Sequence, residues 1–207
     1  MEIVNDPNKI IDELQAGNTR FLDGKSIQSN ETALLKLKDF AANGQVPKAI
    51  VLCCSDSRAP VEMVFDQGLG DLFVIRVAGN IIAPSLVGSV EFAISAFGTN
   101  LIVVMGHTQC GAVTATLDHI EHAHAIPSEN IHDLVSRIKP HIYSISQIKD
   151  LSYAEKLARS VEANVRASVA QLSTSSRLIE GLVTDDKIKI IGAVLELATG
   201  KVNFLEM

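Results

Sequence analysis

The chain has 207 residues, 47% of them hydrophobic and 20% charged, with a formal net charge of -6. That length can bury a core without disulfide staples, and that composition fits neither a disordered tail nor a membrane protein. Dispersed basic residues and a negative balance exclude nucleic acid as a partner, and three cysteines in so large a chain read as metal ligands or core residues rather than bridges.

The opening MEIVNDPNK lacks the basic-then-apolar layout of a signal peptide, and no apolar run approaches the roughly 18–20 residues of a membrane helix. A cytoplasmic, membrane-free protein is expected, with a periplasmic address requiring a leader already removed. Residues 7–23 place Ile10, Ile11, Leu14, Phe21 and Leu22 at near-helical spacing, with Asp6 as cap and Pro7 in the first turn. A second helix is expected near 30–42, carrying Leu34, Leu35, Leu37 and Phe40 and stopping at Asn43-Gly44. Together they form a helical N-terminal arm over residues 1–44.

From Lys48 the pattern changes to short continuous apolar runs, the mark of strands buried on both faces: AIVLCC, then LFVIRVA from 72 and LIVVMG from 101. Helical segments at 86–98 and 111–123 alternate with them, which predicts a mainly parallel central sheet flanked by helices. Residues 128–182 read as almost wholly helical, interrupted at Pro140. The end, IKIIGAVLEL followed by Ala198-Thr199-Gly200-Lys201 and VNFLE, reads as two strands joined by a tight turn, hence an antiparallel C-terminal edge. No repeat or linker divides the chain, so one domain over 1–207 is expected.

Cys54 falls at the carboxyl end of the first strand, and His107 and Cys110 just past the end of LIVVMG. In a parallel sheet these ends share an edge, where ligand sites of open α/β folds form. Two thiolates and one imidazole suit zinc and leave one tetrahedral position open, as in catalytic zinc sites. Any one of these residues alone would read as a buried thiol or a turn histidine. Asp56 and Arg58, two apart in the turn after Cys54, can pair so that the guanidinium keeps the carboxylate off the metal. Without that pairing Asp56 would close the site and make the metal structural. Gly111 opens the helix after Cys110, where its N–H favours negative charge on a ligand oxygen, although turn geometry alone would also explain a glycine.

CSDSR at 54–58 and HTQC at 107–110 match the Cys-x-Asp-x-Arg and His-x-x-Cys motifs of the β-class carbonic anhydrases. The chain resembles that family almost throughout, from GNTRF (17–21) through VIRVAGN (74–80) to GAVLELATGKVNFL (192–205). The resemblance implies reversible hydration of carbon dioxide to bicarbonate and a proton through hydroxide on one zinc ion per subunit, in a homodimer or homotetramer. It implies Cys54, His107 and Cys110 as ligands, Asp56 and Arg58 as the gating dyad, and Gln45 and the Gly111 N–H on substrate oxygens. Phe73, Ala78 and Phe92 correspond to apolar pocket positions, Phe92 standing where many members have tyrosine. A family subgroup has an inhibitory bicarbonate site that includes a tryptophan; this chain has no Trp, so no such site is expected. His119, His122 and His124 read as a solvated helix end, with proton carriage the alternative. Carbonyl sulfide or carbon disulfide hydrolysis, and a zinc-stabilised assembly protein closed by Asp56, are the competing readings. The amino-terminal arm and the 86–98 segment are candidate subunit contacts, with internal packing the alternative.

Overall fold

The computed structural model of the chain describes residues 6–206, so residues 1–5 of the expected arm lie outside the described residues. Helix α1 (Pro7–Leu22) starts as expected, with the Asp6 carboxylate accepting from the Asn8 N–H at 3.0 Å and Pro7 in the first turn. Its apolar face is not free: Ile10 and Leu14 are buried in the core. Asn18 anchors it further, donating to the carbonyls of Val64 (3.0 Å) and Gly200 (2.9 Å) and accepting from the Val202 N–H (2.9 Å). Helix α2 (Asn30–Asn43) differs, leaving Leu34, Leu35 and Leu37 exposed.

The sheet contains β1 (Ala49–Cys53), β2 (Leu72–Arg76), β3 (Leu101–His107), β4 (Lys189–Leu195) and β5 (Val202–Phe204), in the order β2-β1-β3-β4-β5. The first four are parallel and β5 runs antiparallel to β4, the expected α/β class with its antiparallel edge. Every residue of β1 and β3 is buried, which is why their sequences read as unbroken apolar runs. Alternation sorts their side chains between two layers. Val51, Cys53, Val103 and Met105 pack towards α1 and the short helix α3 (Val61–Val64). Ile50, Leu52, Ile102 and Val104 pack towards α4 (Pro84–Phe97), α7 (Tyr153–Ser173) and α8 (Arg177–Thr184). The β4–β5 turn closes on Gly200, whose left-handed φ of 79° lets its N–H reach the Glu196 carbonyl at 2.7 Å.

Helix α5 (Gly111–His122) follows β3, and the long helical region contains α6 (Glu129–Ser146), α7 and α8. Each of the last three is capped by a serine side chain, from Ser128, Ser152 and Ser176. Pro140 does not interrupt this region, contrary to expectation; it lies inside α6. The ring is exposed, so the unpaired carbonyl one turn earlier can meet water, while Ile138 and Ile142 on either side are fully buried. Burying two such side chains, about 1.5–3 kcal/mol each, offsets the roughly 3 kcal/mol cost of an interior proline. Among the described residues no helix is long and apolar enough to cross a membrane.

Candidate metal centre

Cys53 pairs in register with Met105, so the carboxyl ends of β1 and β3 lie side by side. Cys54, one residue beyond β1, thereby meets His107, the last residue of β3, while Cys110 is the N-cap residue of α5. One ligand atom from each lies within 4.8 Å of the others, and all three residues are buried. The sulfurs are 3.9 Å apart. His107 Nδ1 lies 2.9 Å from the Thr108 carbonyl, which can only accept, so Nδ1 carries the proton and Nε2 presents a bare lone pair. That Nε2 is buried with no hydrogen-bond partner, a desolvation cost that a bound cation would remove. Two soft thiols and an imidazole make the set fit a metal ion. Strand alternation turns the adjacent Cys53 into the core instead, and burial pushes its thiol up to about 12.

The short sulfur contact splits the two thiols: a Cys54 thiolate accepts from the Cys110 thiol, so Cys54 is shifted down and Cys110 up. Gly79 N–H adds a second donor to Cys54 Sγ at 3.4 Å. Burial works against a charged His107, yet the Cys54 and Thr108 contacts outweigh it and raise its value. Arg58 grips Asp56 with two parallel bonds, Nε to Oδ1 at 2.9 Å and Nη2 to Oδ2 at 2.8 Å, and its backbone N–H adds a third at 2.9 Å. Those bonds hold the Asp56 carboxyl well below the usual carboxylate range. Oδ2 stands 3.7 Å from His107 Nε2, beside the cluster and tied to Arg58.

Arg76 is a residue that sequence reading missed. From the end of β2 it donates to the Cys54 carbonyl through Nε (3.1 Å) and Nη2 (3.0 Å), and to the Asp56 carbonyl through Nη2 (2.6 Å), fixing the turn that carries both. An arginine at the end of an otherwise apolar strand was the available signal. Thr108 ties the other half down, donating to Glu196 Oε1 at 3.0 Å and accepting from the Leu197 N–H at 3.0 Å.

The family model described as carbonic anhydrase matches residues 49–202, which contain this whole cluster. The chain is 36% identical over 190 residues to a carbonic anhydrase of Mycolicibacterium smegmatis, covering 91% of this chain and 88% of that one. The solved β-carbonic anhydrase CcaA superposes with a TM-score of 0.76 at 24% identity, covering 96% of this chain and 94% of that one. A tetrameric β-carbonic anhydrase from Sordaria macrospora gives 0.72 at 23%, covering 97% and 98%. The chain belongs to the β-class carbonic anhydrases.

The remaining residues that the carbonic anhydrase resemblance singled out fall into two groups. Ala78 and Gly111 adjoin the cluster: Ala78 precedes the Gly79 N–H on Cys54 Sγ, and Gly111 follows Cys110. Gly111 has no left-handed φ, and an added Cβ there would meet nothing, so neither turn strain nor packing requires glycine. Gln45, Phe73 and Phe92 are not brought to Cys54 within the chain. Gln45 precedes β1 and Cys54 follows it, with about 16 Å of strand between them. Phe73 pairs with Ile50 near the amino end of β1 and packs against Phe92 and Phe97, with centroids 6.3 and 5.9 Å away. Gln45 and Phe97 share a surface hollow of about 550 Å³ with Leu37 and Phe40. His119 and His122 lie in the last turn of α5, about 14 and 18 Å along the helix from Cys110, and His124 lies beyond it.

Proposed function

We propose that this protein is a zinc-dependent carbonic anhydrase acting as one domain, which reversibly hydrates carbon dioxide to bicarbonate and a proton, with Cys54, His107 and Cys110 as the metal ligands. The observation that carries the reading is a bare, buried His107 Nε2 converging with two thiols while Asp56 is held on Arg58. Sulfurs each about 2.3 Å from a tetrahedral zinc would be about 3.8 Å apart, close to the 3.9 Å of Cys54 and Cys110. When bound, zinc supplies hydroxide near neutral pH by lowering the pKa of water from 15.7 to about 7.

The chain's own residues direct that nucleophile. Asp56, ionised by its bonds to Arg58, would accept a hydrogen bond from hydroxide supplied there and so orient it towards carbon dioxide. Arg58 keeps Asp56 from occupying the open ligand position. The Gly111 N–H, at the free amino end of α5, stabilises the negative charge that develops on a substrate oxygen. Ala78 contributes apolar wall. Gln45, Phe73 and Phe92 serve the same reaction from a second copy of the chain, because they sit at the far end of the sheet from their own ligands while Gln45 and Phe92 are exposed. A homodimer or homotetramer is therefore the working form, and the exposed Leu34, Leu35 and Leu37 of α2 suit the contact. The tetrameric Sordaria macrospora relative supports that reading. Three free thiols suit a reducing cytoplasm.

Stopped-flow carbon dioxide hydration with zinc analysis tests this, comparing the parent with Cys54→Ser and Asp56→Asn. Cys54→Ser should lose zinc and activity together, and Asp56→Asn should retain zinc with reduced turnover. Full activity in Cys54→Ser would sink the metal assignment.

A further inference from the structure

The Gly79 N–H that reaches Cys54 Sγ belongs to a turn in an unusual conformation. Gly79 (φ 72°, ψ 18°) and Asn80 (φ 44°) are both left-handed, and both are buried. Such a pair does not hold itself, since the left-handed region is unfavourable for Asn80 and optional for glycine. What holds it is helix α7. Asn164 Nδ2 donates to the Gly79 carbonyl at 2.8 Å, and Ser168 Oγ donates to the Asn80 carbonyl at 3.0 Å. Asn164 and Ser168 are four residues apart, hence on one helix face, and neither has any exposed surface.

The orientation of the Asn164 carboxamide is itself set from the surface. Its Oδ1 faces His141 Nδ1 at 3.1 Å, and His141 Nε2 faces Gln171 Nε2 at 3.1 Å. The amide nitrogen of Gln171 can only donate, so His141 Nε2 accepts and His141 Nδ1 carries the proton to Asn164 Oδ1. That leaves Asn164 Nδ2 facing Gly79. Every donor in the chain Gln171, His141, Asn164, Gly79 thus points inward towards Cys54 Sγ. The Gly79 carbonyl and N–H belong to successive peptide units, so the effect of Asn164 is to fix how Gly79 is turned, not to relay a proton. Gly79 has no spare room to shift, as even a Cβ would lie 2.7 Å from Ile138 Cδ1 and 3.0 Å from Ala112 Cβ.

We propose that Asn164, oriented by His141, is a positioning residue for the metal centre: it locks left-handed Gly79 so that the Gly79 N–H stays on Cys54 Sγ and keeps that sulfur aimed at the metal. The proposal rests on Cys54 being a ligand, as argued above. Outer partners of metal ligands typically govern affinity by about 10–100-fold, so the direct readout is zinc binding rather than turnover. Asn164→Asp keeps the shape and removes the donor; Asn164→Leu removes both polar atoms. Each should bind zinc about 10–100-fold more weakly than the parent in chelator competition, with a perturbed thiolate charge-transfer band after cobalt substitution. Ser160→Ala, one turn earlier on α7 at a buried hydroxyl without a hydrogen-bond partner, should leave both unchanged. Folded Asn164 variants with parental zinc affinity and cobalt spectrum, and only lowered thermal midpoints, would overturn the proposal. Should both variants fail to fold, His141→Ala takes their place: a loss of zinc affinity of about 10-fold, the lower end of that outer-partner range, supports the proposal, and parental affinity overturns it. A parent protein that binds zinc but does not hydrate carbon dioxide would refute the proposed reaction while leaving this comparison intact.

Discussion

Gly79→Ala is the sharpest test of how the structure holds Cys54. Alanine at this position must adopt a φ of 72°, which costs about 1–2 kcal/mol for an L-residue. Its Cβ would also meet Ile138 Cδ1 at 2.7 Å and Ala112 Cβ at 3.0 Å, closer than packed carbons approach. Overpacking of this kind costs about 1–3 kcal/mol, so the total is about 2–5 kcal/mol. For a chain of this length that corresponds to a thermal midpoint lowered by about 4–20 °C, measured at fixed protein concentration with zinc in excess. The two contributions separate in a double-mutant cycle. Ile138→Val removes Cδ1 and alone costs about 0.5–1.5 kcal/mol. Combined with Gly79→Ala it should recover about 1–2 kcal/mol relative to the sum of the single changes, because the 2.7 Å contact with Cδ1 disappears while the Ala112 contact and the φ cost remain. A midpoint within a degree of the parent for Gly79→Ala, or strict additivity in the cycle, would refute the account of a tightly packed left-handed turn.

Arg58→Met should release Asp56 towards the open ligand position and lower carbon dioxide hydration about 10–100-fold with zinc still bound; loss of zinc instead would contradict the gating role. The pH dependence of the same pair has a definite sign. The folded value of Asp56 is depressed, so the stability its pairing contributes is present above its unfolded value of about 3.9 and is lost only as pH falls through the lower folded value. The difference in thermal midpoint between parent and Arg58→Met should therefore stay constant from about pH 8 to about pH 5, and a difference that closes within that range would contradict the assignment. The metal-free protein should carry one thiolate, at Cys54, in mildly acidic solution, seen as ultraviolet absorbance that Cys54→Ser abolishes; a titration with no thiolate below neutrality would count against the shared proton. Mixing inactive Cys54→Ser subunits with impaired Gln45→Ala subunits should restore about a quarter of parental sites in randomly exchanged dimers, each rescued site combining zinc ligands from one subunit with Gln45 from the other. No recovery after proven exchange would show that Gln45 does not act across a subunit contact.

The order of strands and helices was legible because short buried strands leave unbroken apolar runs and surface helices leave periodic ones. The metal cluster was legible for a chemical reason: cysteine and histidine at the ends of parallel strands are few, and the topology permits little else than convergence. Pro140 misled because helix-breaking propensity is local, whereas the burial of Ile138 and Ile142 that overrides it is not. The sequence by itself therefore determined the α/β class, the convergence of Cys54, His107 and Cys110, and the pairing of Asp56 with Arg58, which are set by pattern and by short spacing. Only the tertiary structure decided which nitrogen of His107 is bare, that Arg76 holds the turn carrying Cys54, and that Asn164 bonds the Gly79 turn whose N–H meets the Cys54 sulfur. Arg76 and Asn164 reach those turns from 22 and 85 residues away, and the His107 contact depends on how its ring is turned, which no local pattern of residues encodes.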